Sequence, residues 1–348
     1  MENLVLIGRA DAPTNTFQRR PGNLSAARSH GEIGFAGGAR RALRLHWRLY
    51  VFEALELAAF MLSACAFAVL LFEPNSSAAR LIPDAVARQA LFAVAMGVTA
   101  TLIIKSPMGK RSGAHFNPAC TLTYLRLGKI SKTDAYFYIA SHFVGAVLGV
   151  GVGVLLFGDR LASPDVDYVV SVPGVYGAAA AFLAELFMAI VFMSVALWTS
   201  NRPALAGWTA YFIGGLIALY LIAFGAVSGV GLNPARSIGS ALFADVWTAI
   251  WVYLTAPVLG MLIAAEGYVR LCGSDQVLCA KFEPNNIHVC PFLCRFPDHV
   301  HDWESAATGD DLNRSRRFRC EADESAFAAS SAIEPAHSRK SEVRVGIA

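Results

Sequence analysis

Charge is what this sequence has little of. Of its 348 residues only 16% are Asp, Glu, Lys or Arg, against about 25% in an ordinary soluble domain. The formal net charge of +3 is too small to argue for a nucleic-acid partner. A signal peptide's apolar stretch is missing at the start: Met1 to Trp47 is polar and rich in Gly and Arg, and residues 1–47 read as a cytoplasmic arm. No nucleotide-binding or catalytic motif is present, so neither enzymatic chemistry nor a cofactor is expected. His115 and His142 have no partner at a metal-ligand spacing. What the chain has instead is apolar mass, 55% hydrophobic with a mean hydropathy of +0.47, and that mass is gathered in blocks.

The blocks are membrane-sized. Apolar runs cover roughly Leu49 to Phe72, Ala85 to Ile104, Ala135 to Phe157, Gly177 to Trp198, Ala204 to Val227 and Val246 to Val269. Each is near the ~20 residues that a helix needs to cross the hydrocarbon. The expectation is an all-α, multi-pass integral membrane protein, its membrane domain over 48–270, in the cell (inner) membrane. Lys and Arg gather in the arm, in the link after the second run and in the link after the fourth. The link after the third holds Asp159, Asp165 and Asp167 against Arg160 alone. This bias puts both termini in the cytoplasm.

Two short elements do not fit that pattern. Ser112-Gly-Ala-His-Phe-Asn-Pro-Ala119 and Ser228-Gly-Val-Gly-Leu-Asn-Pro-Ala235 share S-G-x-x-x-N-P-A, and each leads into a mildly apolar run too short to span a bilayer. Asn before Pro is a helix start: the Asn side chain caps free amides, and Pro needs no amide partner in the first turn. Two re-entrant half-helices are predicted. Three runs enclose each element, dividing the domain into halves 48–158 and 177–270. An odd number per half makes the second half enter upside down, so the half-helices meet tip to tip near the midplane.

The residues at that meeting point define a candidate site. Asn117 with Pro118 and Ala119, and Asn233 with Pro234 and Ala235, would turn amide donors to a passing oxygen, with two positive dipole ends repelling cations. Carbonyls of Gly113, Ala114 and His115, and of Gly229 and Gly231, would supply a ladder of acceptors. Arg236, within a turn of Asn233, is a charge at membrane depth and marks a solute path. Glu53 and Glu185 read as buried acceptors for loop amides, with proton carriers in a secondary transporter as the other reading.

These features resemble the aquaporins, the major intrinsic protein family. The likeness runs from about Leu49 to Val269. It includes both N-P-A motifs, the S-G-A-H before the first, the A-R-S-x-G after the second, and the paired helix acids. It implies a six-helix bundle with two half-helices, a conduit in each subunit of a homotetramer, and water or small uncharged solutes as what passes. By the family's pattern the outer filter falls on Arg236, Val230, Leu221 and either Met96 or Gly97. Strict water channels of the family usually have His where Leu221 stands, so water-only selectivity is not implied. Ser237 and Ala241 are water-type, whereas a glycerol-type member would carry an acid and a Lys there. A neutral-solute facilitator with little water selectivity remains the alternative.

Residues 271–348 lie outside the likeness and read as a partly disordered cytoplasmic tail. They hold Cys272, Cys279, Cys290, Cys294 and Cys320, with His288, His299 and His301. A cytoplasmic tail keeps thiols reduced. Cys279, Cys290, Cys294 and His288 are candidates for zinc binding or redox sensing, although their spacing is not that of a known finger.

Overall fold

Six helices are long and apolar enough to cross a membrane among the residues that the structure, a computed structural model, describes: 35–288 and 290–296. Every regular element among them is helical. Besides three short 3-10 turns, they are α1 (Phe35–Phe72), α2 (Ser77–Leu81), α3 (Ala85–Lys105), α4 (Gly109–Ser112), α5 (Pro118–Arg126), α6 (Lys132–Phe157), α7 (Gly177–Ser200), α8 (Pro203–Ala206), α9 (Thr209–Ser228), α10 (Pro234–Ala244) and α11 (Ile250–Cys272). The spanning elements are α1, α3, α6, α7, α9 and α11. Their polar ends carry ordinary caps: Asp84 accepts from Val86 N ahead of α3, and Ser131 from Asp134 N ahead of α6. In hydrocarbon only an internally bonded backbone is tolerated, which is why the spans are helical throughout.

Several boundaries differ from the hydropathy reading. α1 begins at Phe35, inside the supposed arm, because residues 40–48 are mostly Ala, Arg and Leu, good helix formers that are too polar to register as a span. That extension is tied to the start of α6. His46 Nδ1 lies 2.7 Å from Asp134 Oδ1, and Tyr50 OH donates to the same oxygen at 2.6 Å. The fifth span starts at Thr209 rather than Ala204, since Pro203 opens the separate short turn α8. The sixth starts at Ile250 rather than Val246.

The packing follows the two halves. α1 lies on α6 and, in the same way, α7 lies on α11, while α3 meets α9 across the halves. The half-helices exchange: α5 packs on α11, and α10 on α6. Lipid offers no hydrophobic drive for helix association, so close backbone approach has to supply it. A Cβ at Gly145 of α6 would run into the Ala54 carbonyl of α1, and one at Gly260 of α11 would come within 2.6 Å of the Leu186 carbonyl of α7. Gly145→Val is therefore expected to destabilise the bundle by about 2 kcal/mol or more. Gly215→Val, on an exposed face of α9 with nothing within 4 Å, is the control. A detergent-solubilised Gly145→Val protein with the parent's thermal midpoint would show that this contact does not hold α6 against α1.

The start of the tail is packed. Val277 to Glu283 are buried, with Lys281 and Phe282 each 1% exposed. Cys272 is disulfide-bonded, which corrects the reduced-thiol expectation at that position. Residues 1–34 of the arm, and Cys320, His299 and His301 of the tail, lie outside the described residues.

Candidate functional site

The two non-helical loops are built alike, residue for residue. Gly113 and Gly229 take positive φ, and Ala114, Phe116, Val230 and Leu232 follow them into the left-handed region at 56°, 27°, 50° and 51°. Such backbone is strained for residues with a Cβ and persists only where its surroundings hold it. What holds it is the pair of helix acids. Glu53 of α1 accepts His115 N at 3.1 Å and Phe116 N at 2.6 Å, one on each carboxylate oxygen. Glu185 of α7 accepts Gly231 N at 2.7 Å and Leu232 N at 2.6 Å likewise. Ser112 Oγ accepts Ala114 N, and Ser228 Oγ accepts Val230 N. Tyr138 and Tyr253 each donate to the carbonyl of that serine at 2.7 Å.

The match has one asymmetry. Ser228 Oγ donates to Glu185 itself, whereas Ser112 Oγ donates to a second buried acid, Glu56, at 2.9 Å. Glu53 in turn has a side-chain partner in His142, Nε2 to Oε2 2.8 Å. His142 and Glu56 are both fully buried, and each is tied to this loop system by a side-chain hydrogen bond.

The half-helices then meet tip to tip. Asn117 Oδ1 accepts Ala119 N at 2.9 Å, and Asn233 Oδ1 accepts Ala235 N at 3.0 Å. Each side-chain amide also reaches the opposite loop, Asn117 Nδ2 to Leu232 O at 2.9 Å and Asn233 Nδ2 to Phe116 O at 2.7 Å. The sequence reading turned both NH2 groups to the passage. One hydrogen of each instead ties the two loops together, and the other is left for whatever occupies the space between. Pro118, Ala119, Pro234 and Ala235 are buried in the first turns behind the caps.

A cavity runs past both caps. Phe60, Met96, His115, Asn117, Phe192, Leu221, Val230, Gly231, Asn233 and Arg236 are among the residues on its wall. On the face away from the tail a second hollow, bordered by Asp165, Gln89 and Gly229, shares Phe92, Leu221 and Arg236 with the first. Those three side chains border both hollows. The Nη1 of Arg236 is buried without a hydrogen-bond partner.

Of the expected filter residues, Gly97 is placed elsewhere. It is pressed against Gly214 of α9, where a Cβ would strike the Gly214 carbonyl, so its role is helix packing and Met96 takes the wall. Among the expected free carbonyls, that of Gly113 accepts Phe282 N at 3.2 Å and is taken up by the tail. Ala114 is not on the cavity wall. Phe92 was missed by sequence reasoning, although it lies one helical turn before Met96 on the same face. Phe60 and Phe192 were missed too. Each stands seven residues after its helix acid, two turns along the inward face. His288 is not part of the cluster it was grouped with: the sulfurs of Cys279, Cys290 and Cys294 come together without it.

The fold and the paired caps define a class: a membrane protein built as an inverted repeat, with two re-entrant half-helices facing one internal passage. The model of the major intrinsic protein family matches residues 41–268, and the chain belongs to that family. Curated relatives include a probable aquaporin NIP7-1 of Arabidopsis thaliana, 32% identical over 51% of this chain and 62% of the relative. Aquaporin NIP1-1 of Zea mays is 33% identical over 49% of this chain and 58% of its own length. The chain thus spans less than two thirds of either. The aquaglyceroporin from Plasmodium falciparum shares the fold, with a TM-score of 0.55 at 20% identity, covering 64% of this chain and 95% of that one. The protein is a multi-pass integral membrane protein.

Proposed function

We propose that the membrane domain is a passive conduit for water and small uncharged solutes that excludes ions. The observation that carries this reading is the pair of Asn caps facing one cavity beside a buried guanidinium nitrogen with no protein partner. Buried polar groups need partners, and a solute oxygen is the natural one for Arg236 Nη1. The amide hydrogens of Asn117 and Asn233, at two positive helix ends, orient a water as acceptor from both sides and oppose a cation. Around them the wall is apolar, with Phe60, Phe192, Ile217, Leu221 and Val230. Ion coupling needs titratable groups in the passage. Glu53 and Glu185 are engaged in holding loop amides instead, and the ring nitrogens of His115 on the cavity wall are taken up by Thr121 Oγ1 and Ala280 O, which disfavours a secondary transporter.

The apolar pair Phe92 and Leu221, bordering both hollows with Arg236, favours neutral solutes somewhat larger than water. Both termini in the cytoplasm and a homotetramer belong to the same proposal, on the Lys/Arg bias of the links and on family membership. The test is stopped-flow volume change of proteoliposomes with water, glycerol and urea in parallel. Flux linear in the gradient is expected, and saturating or ion-coupled flux would refute the conduit. Leu221→His is expected to lower the glycerol-to-water ratio severalfold. An unaltered ratio would show that position 221 is not at the constriction.

A further inference from the structure

Residues 277–283 cross the tail-side mouth of the cavity and engage both halves of the bundle. His115 Nε2 lies 2.6 Å from Ala280 O, Phe282 N donates to Gly113 O at 3.2 Å, and Lys281 Nζ donates to Lys110 O at 2.8 Å. From the second half, Asn201 Oδ1 accepts Leu278 N at 2.7 Å. Glu283 pairs with Lys105, Nζ to Oε1 3.0 Å. The Phe282 ring lines the cavity itself. Phe292 stacks on His115 with centroids 5.6 Å apart and planes 6° from parallel. A segment seated in this way fills the opening that a solute would use.

A second, independent feature sits beside it. The sulfurs of Cys279, Cys290 and Cys294 lie within 4.8 Å of one another, and all three are free thiols. Cys279 Sγ and Cys290 Sγ are 3.4 Å apart. Sulfurs bound tetrahedrally to an ion at ~2.3 Å would be about 3.8 Å apart, so the cluster needs only small adjustments to close on one. A disulfide would use two of the sulfurs and leave the third with no role; an ion uses all three. Cys279 adjoins Ala280, the residue that meets His115. Cys290 and Cys294 lie on the return of the chain, which is pinned by Leu293 N to Lys129 O at 3.3 Å and Arg295 N to Leu278 O at 2.8 Å. An ion held by all three would therefore cross-link the two ends of the loop that carries the plug.

We propose that Cys279, Cys290 and Cys294 bind one thiophilic cation of the zinc type, with a fourth position open to water, and that the bound ion latches residues 277–283 in the mouth of the conduit. The latch rests on the conduit reading above; the metal site does not.

The test uses the full chain, purified in detergent with a non-thiol reductant and titrated with Co2+ as a spectroscopic stand-in. One cobalt per chain with sulfur-to-metal charge-transfer absorption is expected, displaced by Zn2+ and absent from C279S/C290S/C294S. In proteoliposomes, zinc is expected to lower solute flux about fivefold or more, and a chelator to restore it. Phe282→Ala, with the plug's ring removed, should conduct in both conditions. Absence of the charge-transfer band under reduction would overturn the metal site. Cobalt bound with the same flux in zinc and in chelator would overturn the latch. Cobalt bound with no flux in any variant, Phe282→Ala included, would refute the conduit reading and leave the metal site standing.

Discussion

Glu185→Ala is expected to abolish flux and to lower the thermal midpoint of the detergent-purified protein by about 10 °C. Glu185 alone serves Gly231 N, Leu232 N and Ser228 Oγ. Removing it leaves donors without acceptors inside the bundle, at about 1–3 kcal/mol for each orphaned group. Val230 and Leu232 would then lack what keeps them in left-handed backbone, and the cap of α10 would drift from Phe116 O. Glu56→Ala is expected to be milder, because it removes the acceptor of Ser112 Oγ alone and leaves Glu53 on the loop amides. Glu266→Ala, on a partly exposed side chain paired with Arg126, is the control. A Glu185→Ala protein with parental flux and midpoint would refute the view that this carboxylate holds the second loop.

Arg236→Val is expected to raise monovalent cation leak about a hundredfold while leaving the fold intact. A fixed positive charge opposes a cation at ~6 Å by about 3 kcal/mol at an effective dielectric of ~20, and about 3 kcal/mol is roughly a hundredfold. Stability should not suffer much, since the buried Nη1 makes no hydrogen bond within the protein and a buried donor without a partner is costly to keep. Conductance of planar bilayers with the parent and the variant would measure it. Equal cation exclusion by both would leave the helix ends and Asn caps as the whole barrier.

Much of this site can be read without coordinates. Asn before Pro marks a capped start wherever it occurs, and two such starts followed by runs too short to span predict re-entrant half-helices. An acid inside an apolar helix needs a partner, and loop amides at membrane depth need acceptors, so Glu53 and Glu185 could be paired with the loops in advance. The cavity aromatics were legible in principle: Phe60 and Phe192 repeat at the same distance from those acids, and Phe92 is one turn from Met96. The choice between Met96 and Gly97 was not legible. One position along a helix turns a side chain by about 100°, and only the seat of Gly97 on the Gly214 carbonyl shows which residue faces inward.

The tail illustrates the opposite limit. Its composition is polar, and nothing in its periodicity predicts burial, yet Phe282 lies at the mouth and Cys279 stands beside Cys290 and Cys294. Those contacts join residues far apart along the chain, through single hydrogen bonds to Gly113, Lys110 and Asn201 that leave no local pattern.

Local chemistry, written in consecutive residues, settled the spans, the caps and the mirrored halves, because hydropathy and backbone valence act over a few positions at a time. Which hydrogens of Asn117 and Asn233 stay free, which side chains border both hollows, and what covers the tail-side mouth were decided by folding alone. Each depends on where an element from the other half, or from beyond the last span, comes to rest.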